Sequence, residues 1–193
     1  MKRLRQFGVS FVLTALVLLA CHASAQDSTP KRFRNSHSEF LRRAALQPVD
    51  WYPLGPEAMA IAKQTGKPLL VEVGASWCPF CEAMDREGYG KDEIAQFINQ
   101  HFIAVRIDCD GQPELAHKLE LAQALANLPS GLPLTMFVTP EGKLYEGGGY
   151  FPAAPAKYKP SFTEFLQQAS SEFETKRFRG ELRDINSELQ ATR

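Results

Sequence analysis

Cys78 and Cys81 are separated by Pro79 and Phe80 and follow a short apolar run at 68–73 (PLLVEV). A thiolate, not a thiol, attacks a disulfide, so a redox cysteine needs surroundings that stabilise negative charge. The start of a helix supplies them through unpaired N–H groups and its dipole. The run at 68–73 reads as a buried strand, and Gly74-Ala75-Ser76-Trp77 turns the chain. Pro79 suits a first helical turn because its missing N–H needs no partner there. Cys78 therefore falls where a strand hands over to a helix. The two-residue spacing lets Cys81 reach back across one turn and close a small-ring disulfide, with Cys78 as the outer nucleophile and Cys81 as the inner, resolving thiol.

Two other features bear on the pair. Glu72 interrupts the apolar strand six residues before Cys78. An unpaired buried carboxylate is costly when ionised, so Glu72 is expected to hold a proton at a raised pKa and to trade it with Cys81. The plainer alternative is a Glu at a strand edge that reaches water. In Gly131-Leu132-Pro133-Leu134 a proline opens another strand, a position that tolerates proline and that a cis peptide would explain, although a trans proline ending a loop fits as well.

The remaining cysteines are Cys21 and Cys109. Cys109 lies between Asp108 and Asp110, acids that disfavour a reactive thiolate, so it reads as an idle or structural thiol. The alternatives are a bond to Cys21 or to another chain. Zinc on the dithiol would need Cys109 with His101 or His117 to converge, without a second close ligand pair, so no metal is expected. Dithiol exchange itself requires no cofactor.

The elements that must position these residues occupy a chain of 193 residues with 22 Lys+Arg and 22 Asp+Glu. That length suits one domain, and the balanced charge argues against an electrostatic nucleic-acid partner. Residues 1–25 have a basic start, an almost wholly apolar stretch at 8–20 and a small-x-small end at Ala23-Ser24-Ala25. This is the pattern of a secretory signal peptide, and the apolar stretch is shorter than the ~20 residues a membrane span needs. Leu18-Leu19-Ala20-Cys21 also resembles a lipobox, which would leave Cys21 lipidated and the protein membrane-attached. Removing 1–25 takes Lys2, Arg3 and Arg5 and no acid, which leaves 19 basic and 22 acidic residues, net −3. The mature chain is expected in an exported, disulfide-permissive compartment such as a bacterial periplasm.

A polar lead at 26–35 is expected to be mobile, followed by one domain over 36–193. Ser36-x-x-Glu39 has the form of a capping box for a first helix carrying Phe40, Leu41, Ala44 and Ala45. Trp51 and Tyr52 sit in a proline-bracketed connection and are expected in the core. Pro56 opens a second helix that Gly66 closes. After Cys81 a helix runs to a break at Gly88 and Gly90, and resumes over 92–99. A strand at 102–107, an amphipathic helix at 113–127, strands at 134–138 and 143–146 and a Gly147-Gly148-Gly149 stop follow. Ser161-x-x-Glu164 caps a long helix with Phe162, Phe165, Leu166, Ala169 and Phe173 as its apolar stripe. The basic run at 176–179 reads as a solvated face.

Taken together, the WCxxC motif after a strand, Glu72 six residues upstream and Gly131-Leu132-Pro133 before a hairpin strand resemble the thioredoxin superfamily. The likeness is greater to the thioredoxin-like domain at the N-terminus of spermatogenesis-associated thioredoxin-domain proteins and their bacterial relatives. Pro48-Val49-Asp50-Trp51-Tyr52-Pro53, Lys67-Pro68, Thr139-Pro140-Glu141-Gly142-Lys143, Gly147-Gly148 and Tyr150-Phe151-Pro152 carry it. Two departures stand out: Pro79, Phe80 and Glu82 replace histidines common in and after that family's CxxC, and its large helical C-terminal domain has no counterpart here. The resemblance implies an α/β, thioredoxin-like fold: a βαβ-α-ββα core with a central mixed sheet flanked by helices, two extra N-terminal helices and a long C-terminal helix. It implies a cis Pro133 beside the sulfurs. Trp77, Pro79, Phe80, Leu132 and Pro133 would then form the substrate-binding surface.

The activity implied is thiol:disulfide exchange with protein substrates, more reductase-like than oxidase-like because no histidine lies between the sulfurs. A membrane thiol reductant is the expected electron donor. Two other classes remain open: a non-catalytic binding or chaperone-like module with a structural disulfide, and a metal-carrying dithiol.

Overall fold

The computed structural model describes residues 32–179, with side chains to residue 175. The expected export signal, Cys21, most of the lead and the side chains of the basic run at 176–179 lie outside the described residues. Among the described residues no helix is long and apolar enough to cross a membrane.

Five strands form one mixed sheet in the order β1-β3-β2-β4-β5. They are β1 (Trp51–Tyr52), β2 (Leu69–Gly74), β3 (Ile103–Asp108), β4 (Leu134–Val138) and β5 (Leu144–Gly148). β1 and β2 flank β3 in parallel, while β4 runs antiparallel to both β2 and β5. Helices α1 (Glu39–Ala44), α2 (Pro56–Thr65), α3 (Pro79–Met84), α4 (Asp92–His101), α5 (Pro113–Leu125) and α6 (Phe162–Arg179) cover its two faces. Alternation along β2 divides the core. Leu70 joins an aromatic-rich layer with Phe102, Phe137, Phe162 and Phe165, whereas Leu69, Val71 and Val73 pack with Ala58, Ala62 and Ala122 of α2 and α5. This is a thioredoxin-like α/β sandwich.

Several local expectations shift. The edge strand β1 adds a fifth to the four strands the sequence predicts; two residues suffice because Trp51 and Tyr52 pair with Ala104 and Val105. The cap of α1 is Ser38, whose Oγ accepts from Leu41 N–H at 3.1 Å, and Ser36 instead accepts from Ser38 N–H. Residues 32–35 of the expected lead form a turn that buries Phe33, and Arg32 bonds Asp50 at 2.7 Å.

Gly88 and Gly90 do not break the chain after α3. Asp85–Tyr89 continues as a π-turn, closed by Gly90 N–H to Asp85 O at 2.8 Å. Such turns are frequent at functional sites. Helix α5 is less amphipathic than its leucines suggest, with only Ala122 and Gln123 buried and Leu121 and Leu125 exposed. β5 runs through Gly147 and Gly148 because both strand positions are crowded. A Cβ there would lie 2.7 Å from Gln123 Oε1 and 2.5 Å from Phe151 Cζ, respectively. The Ser161 cap forms as expected, with Glu164 Oε2 accepting from Ser161 N–H at 2.8 Å and Ser161 Oγ from Glu164 N–H at 3.2 Å.

Candidate active site

Cys78 is the N-cap of α3 and Pro79 its first residue. Cys78 and Cys81 form a disulfide with Cα atoms 5.2 Å apart, and Cys78 Sγ accepts from Cys81 N–H at 3.2 Å. The outer and inner positions are distinct: Cys81 is fully buried, and Cys78 retains 4% exposure. Both pack with Phe40 and Ala75, against which Leu41, Leu132 and Cys109 lean. Gly74 brings the strand end close to the inner sulfur. A Cβ there would lie 2.5 Å from Phe40 Cζ and 3.0 Å from Cys81 Sγ.

That direction also locates Glu72. Residues 72 and 74 project from the same face of β2, so Glu72 lies on the side of Cys81, about 7 Å further along the strand. It is fully buried, as expected, but it is not unpaired. Arg106 sits opposite it on β3, with Nε 3.2 Å from Glu72 Oε2, close enough for an ion pair although not aligned as a hydrogen bond. Burial pushes the Glu72 carboxyl up to about 8, with Arg106 pulling it down and Asp85 pushing it up.

Arg106 is itself fully enclosed. Its Nη2 lies 2.7 Å from Asp85 Oδ1 in the π-turn, its Nη1 donates to Gln47 Oε1 at 3.1 Å, and its guanidinium lies 3.9 Å from the Phe40 ring. Gln47 ties this group to the edge strand by accepting from the Trp51 indole at 2.7 Å and donating to Asp85 at 2.8 Å. Arg106, Asp85 and Gln47 were not singled out in the sequence. The available signal was an arginine inside the apolar strand FIAVRI, directly comparable to Glu72 inside PLLVEV.

The surface around the pair is aromatic. Trp77 is 64% exposed and donates its indole N–H to Asp110 Oδ2 at 2.8 Å; Phe80 is 56% exposed and lies 5.0 Å from the Tyr150 ring. Pro79 is exposed as well, and the Leu132–Pro133 peptide is cis, with Leu132 half-buried beside the sulfur cluster and Pro133 buried. Phe151 turns inward onto Phe165, so the Tyr150-Phe151 pair divides between surface and core.

A cavity of about 330 Å³ opens beside Trp77, lined in part by Val73, Cys109, Asp110, His117 and Leu132. Burial and then Asp110 and Asp108 raise the Cys109 thiol to about 11. Of the two histidines weighed as zinc ligands, His117 shares this cavity with Cys109, whereas His101 stacks on Phe97 and contacts Ser170.

A strand-to-helix dithiol pair, a cis-Pro strand entry and a β1-β3-β2-β4-β5 sheet define a thioredoxin-like protein. The chain belongs to the family described as "Thioredox_DsbH: Protein of unknown function, DUF255", which matches residues 30–192. It is 31% identical over 148 residues to spermatogenesis-associated protein 20 of Rattus norvegicus, covering 77% of this chain and 19% of that protein. It is 32% identical over 143 residues to uncharacterized protein B0495.5 of Caenorhabditis elegans, covering 74% and 20%. The chain thus spans about a fifth of the length of these relatives. Among solved structures, a DsbH oxidoreductase aligns at TM-score 0.48 and 21% identity, covering 65% of this chain and 85% of that one.

Proposed function

We propose that the protein is an exported thiol:disulfide oxidoreductase in which Cys78 and Cys81 cycle between disulfide and dithiol, working in the reducing direction on protein substrates. The observation that carries this reading is the placement of Cys78 Sγ as the N-cap acceptor of α3. A sulfur that accepts a backbone N–H at a helix start is stabilised as a thiolate. The Cys78 thiolate attacks a client disulfide and forms a mixed disulfide, and the second client sulfur leaves as a thiolate and is protonated. Cys81 then gives its proton to the Glu72 carboxylate and attacks the Cys78 sulfur. The Cys78–Cys81 bond forms and the remaining client sulfur leaves. Two electrons pass from protein to client, and a thiol reductant returns them.

Trp77, Pro79, Phe80, Leu132 and Pro133 would hold the client backbone and its side chains beside the sulfurs. Export rests on the basic, apolar and small-residue pattern at 1–25. The reducing direction rests on Pro79 and Phe80, which bring no charge between the sulfurs. A second reading, a binding module with a structural disulfide, draws on the 4% exposure of Cys78. Insulin reduction with dithiothreitol as donor separates them: the first reading expects turnover by the wild type and none by Cys78→Ser, and the second expects turnover by neither.

A further inference from the structure

The buried cation beside Glu72 directs its best donors elsewhere. Arg106 Nη2 lies 2.7 Å from Asp85 Oδ1 and donates to Asp85 Oδ2 at 2.8 Å, and Nη1 donates to Gln47 Oε1 at 3.1 Å. Gln47 in turn fixes Asp85 by donating to its Oδ1 at 2.8 Å. Glu72 receives only Nε, at 3.2 Å and not aligned as a hydrogen bond. Two anchors thus hold the guanidinium toward the π-turn and leave Glu72 the charge without a directed donor, the weaker form of such a pair. The same group reaches the inner cysteine by two routes. Asp85 lies one helical turn after Cys81 and its backbone N–H donates to Cys81 O. The guanidinium also lies 3.9 Å from the Phe40 ring, which packs with Cys78 and Cys81. The charged and titratable groups around the pair are Asp85 on the π-turn and the Tyr89 phenol, its ring 5.9 Å from the guanidinium; β4 contributes uncharged Thr135 opposite Glu72.

We propose that Asp85 is a positioning residue: together with Gln47 it keeps the Arg106 guanidinium turned from Glu72, so that the carboxyl can hold the proton exchanged with Cys81. This rests on the exchange reaction above. When a donor thiolate attacks Cys78, the Cys78–Cys81 bond breaks, Cys81 leaves with the electron pair and Glu72 supplies the proton that neutralises it. A second donor thiolate then attacks the donor sulfur, a donor disulfide forms and Cys78 leaves as a thiolate. In the opposite half-reaction Cys81 returns its proton to the Glu72 carboxylate as it attacks Cys78. An arginine turned fully onto Glu72 would hold it as a carboxylate throughout, and no proton would be available to the departing Cys81.

The test uses the full chain with ¹³C-labelled glutamate, following the Glu72 carboxyl signal against pH in the disulfide form. The rate of disulfide reduction by dithiothreitol, corrected for its thiolate fraction, is measured over the same range. Asp85→Asn frees the guanidinium for Glu72 and should lower the Glu72 midpoint by at least about one pH unit, the effect of an arginine placed directly on a carboxylate. The limb of the corrected rate that falls as Glu72 ionises should move down with it. Gln47→Met removes the other anchor while keeping every charge, so its smaller shift in the same direction reports the guanidinium turning. Glu87→Gln removes an acid of the same turn that pairs with Arg86 instead, and should move neither. An unmoved or raised midpoint in Asp85→Asn overturns the proposal, and so does a moved midpoint with an unmoved rate limb. If Asp85→Asn does not fold, an unmoved midpoint in Gln47→Met overturns it. Because dithiothreitol is a small chemical donor, a failure to reduce insulin would count against the client reaction alone.

Discussion

Glu72 and Arg106 face each other across β2 and β3 with no solvent at either side chain, Arg106 Nε 3.2 Å from Glu72 Oε2. An ion pair enclosed this way is held by its remaining partners, because mutual attraction at low dielectric offsets desolvation only when the other donors and acceptors are satisfied. Here Asp85, Gln47 and the Phe40 ring surround the guanidinium. Arg106 thus faces two acids, and the sharing leaves the Glu72 carboxyl raised to about 8 by burial despite the arginine beside it.

The raised carboxyl makes stability fall with pH. The folded protein binds the Glu72 proton more tightly than the unfolded chain, so the stability from this group is complete below the ordinary carboxylate range. It is lost as pH rises to about 8, at no more than ~1.4 kcal/mol per pH unit. Guanidinium unfolding of the disulfide form at about pH 5 and about pH 8 should show the wild type losing more stability than Glu72→Gln. Parallel losses would place the Glu72 carboxyl in its ordinary range.

Removing the cation should be far worse than removing either acid. Arg106→Met leaves Glu72 and Asp85 without their buried positive charge, and breaking a buried pair from one side costs about 3–5 kcal/mol. Thermal unfolding near neutral pH should drop accordingly, with partial recovery in the double variant Arg106→Met, Glu72→Gln, which removes the buried acid that would otherwise have to stay protonated in the fold. Additive losses in the double variant would mean that the two side chains are not coupled.

How much of this was legible in the sequence depends on whether a residue announces itself by type or by partner. The dithiol, the Glu72 interruption and the proline before β4 carry distinctive residue types, and in the structure Leu132 packs with Cys78 and Cys81 and also lines the cavity beside Trp77. β1 escaped notice because two residues contain no alternation to detect; only pairing with Ala104 and Val105 makes Trp51 and Tyr52 a strand. Gly88 and Gly90 together read as a helix break, whereas at Gly88 the missing side chain admits the Phe162 ring: a Cβ would lie 2.9 Å from Phe162 Cδ1. Arg106 interrupts β3 as visibly as Glu72 interrupts β2, but its residue type alone does not name its partners. Recognising that the two acids and the arginine meet requires the register between strands, which local sequence does not contain.

Cys109 should be the slow thiol of the protein. Its pKa of about 11 leaves little thiolate at neutral pH, unlike an exposed cysteine. In a variant carrying Cys21→Ser, Cys78→Ser and Cys81→Ser, iodoacetamide at about pH 8 should modify Cys109 roughly a hundredfold more slowly than glutathione. Equal rates would show that burial, Asp110 and Asp108 do not suppress its ionisation.

Capture of a mixed disulfide tests the division of labour between the two sulfurs most directly. Reduced Cys81→Ser protein, mixed with a peptide disulfide and analysed by mass spectrometry, is predicted to accumulate a covalent adduct mapping to Cys78, while Cys78→Ser protein accumulates none at Cys81. An adduct at Cys81 in the Cys78→Ser protein, or no adduct in either, would contradict the assignment of Cys78 as the attacking thiol.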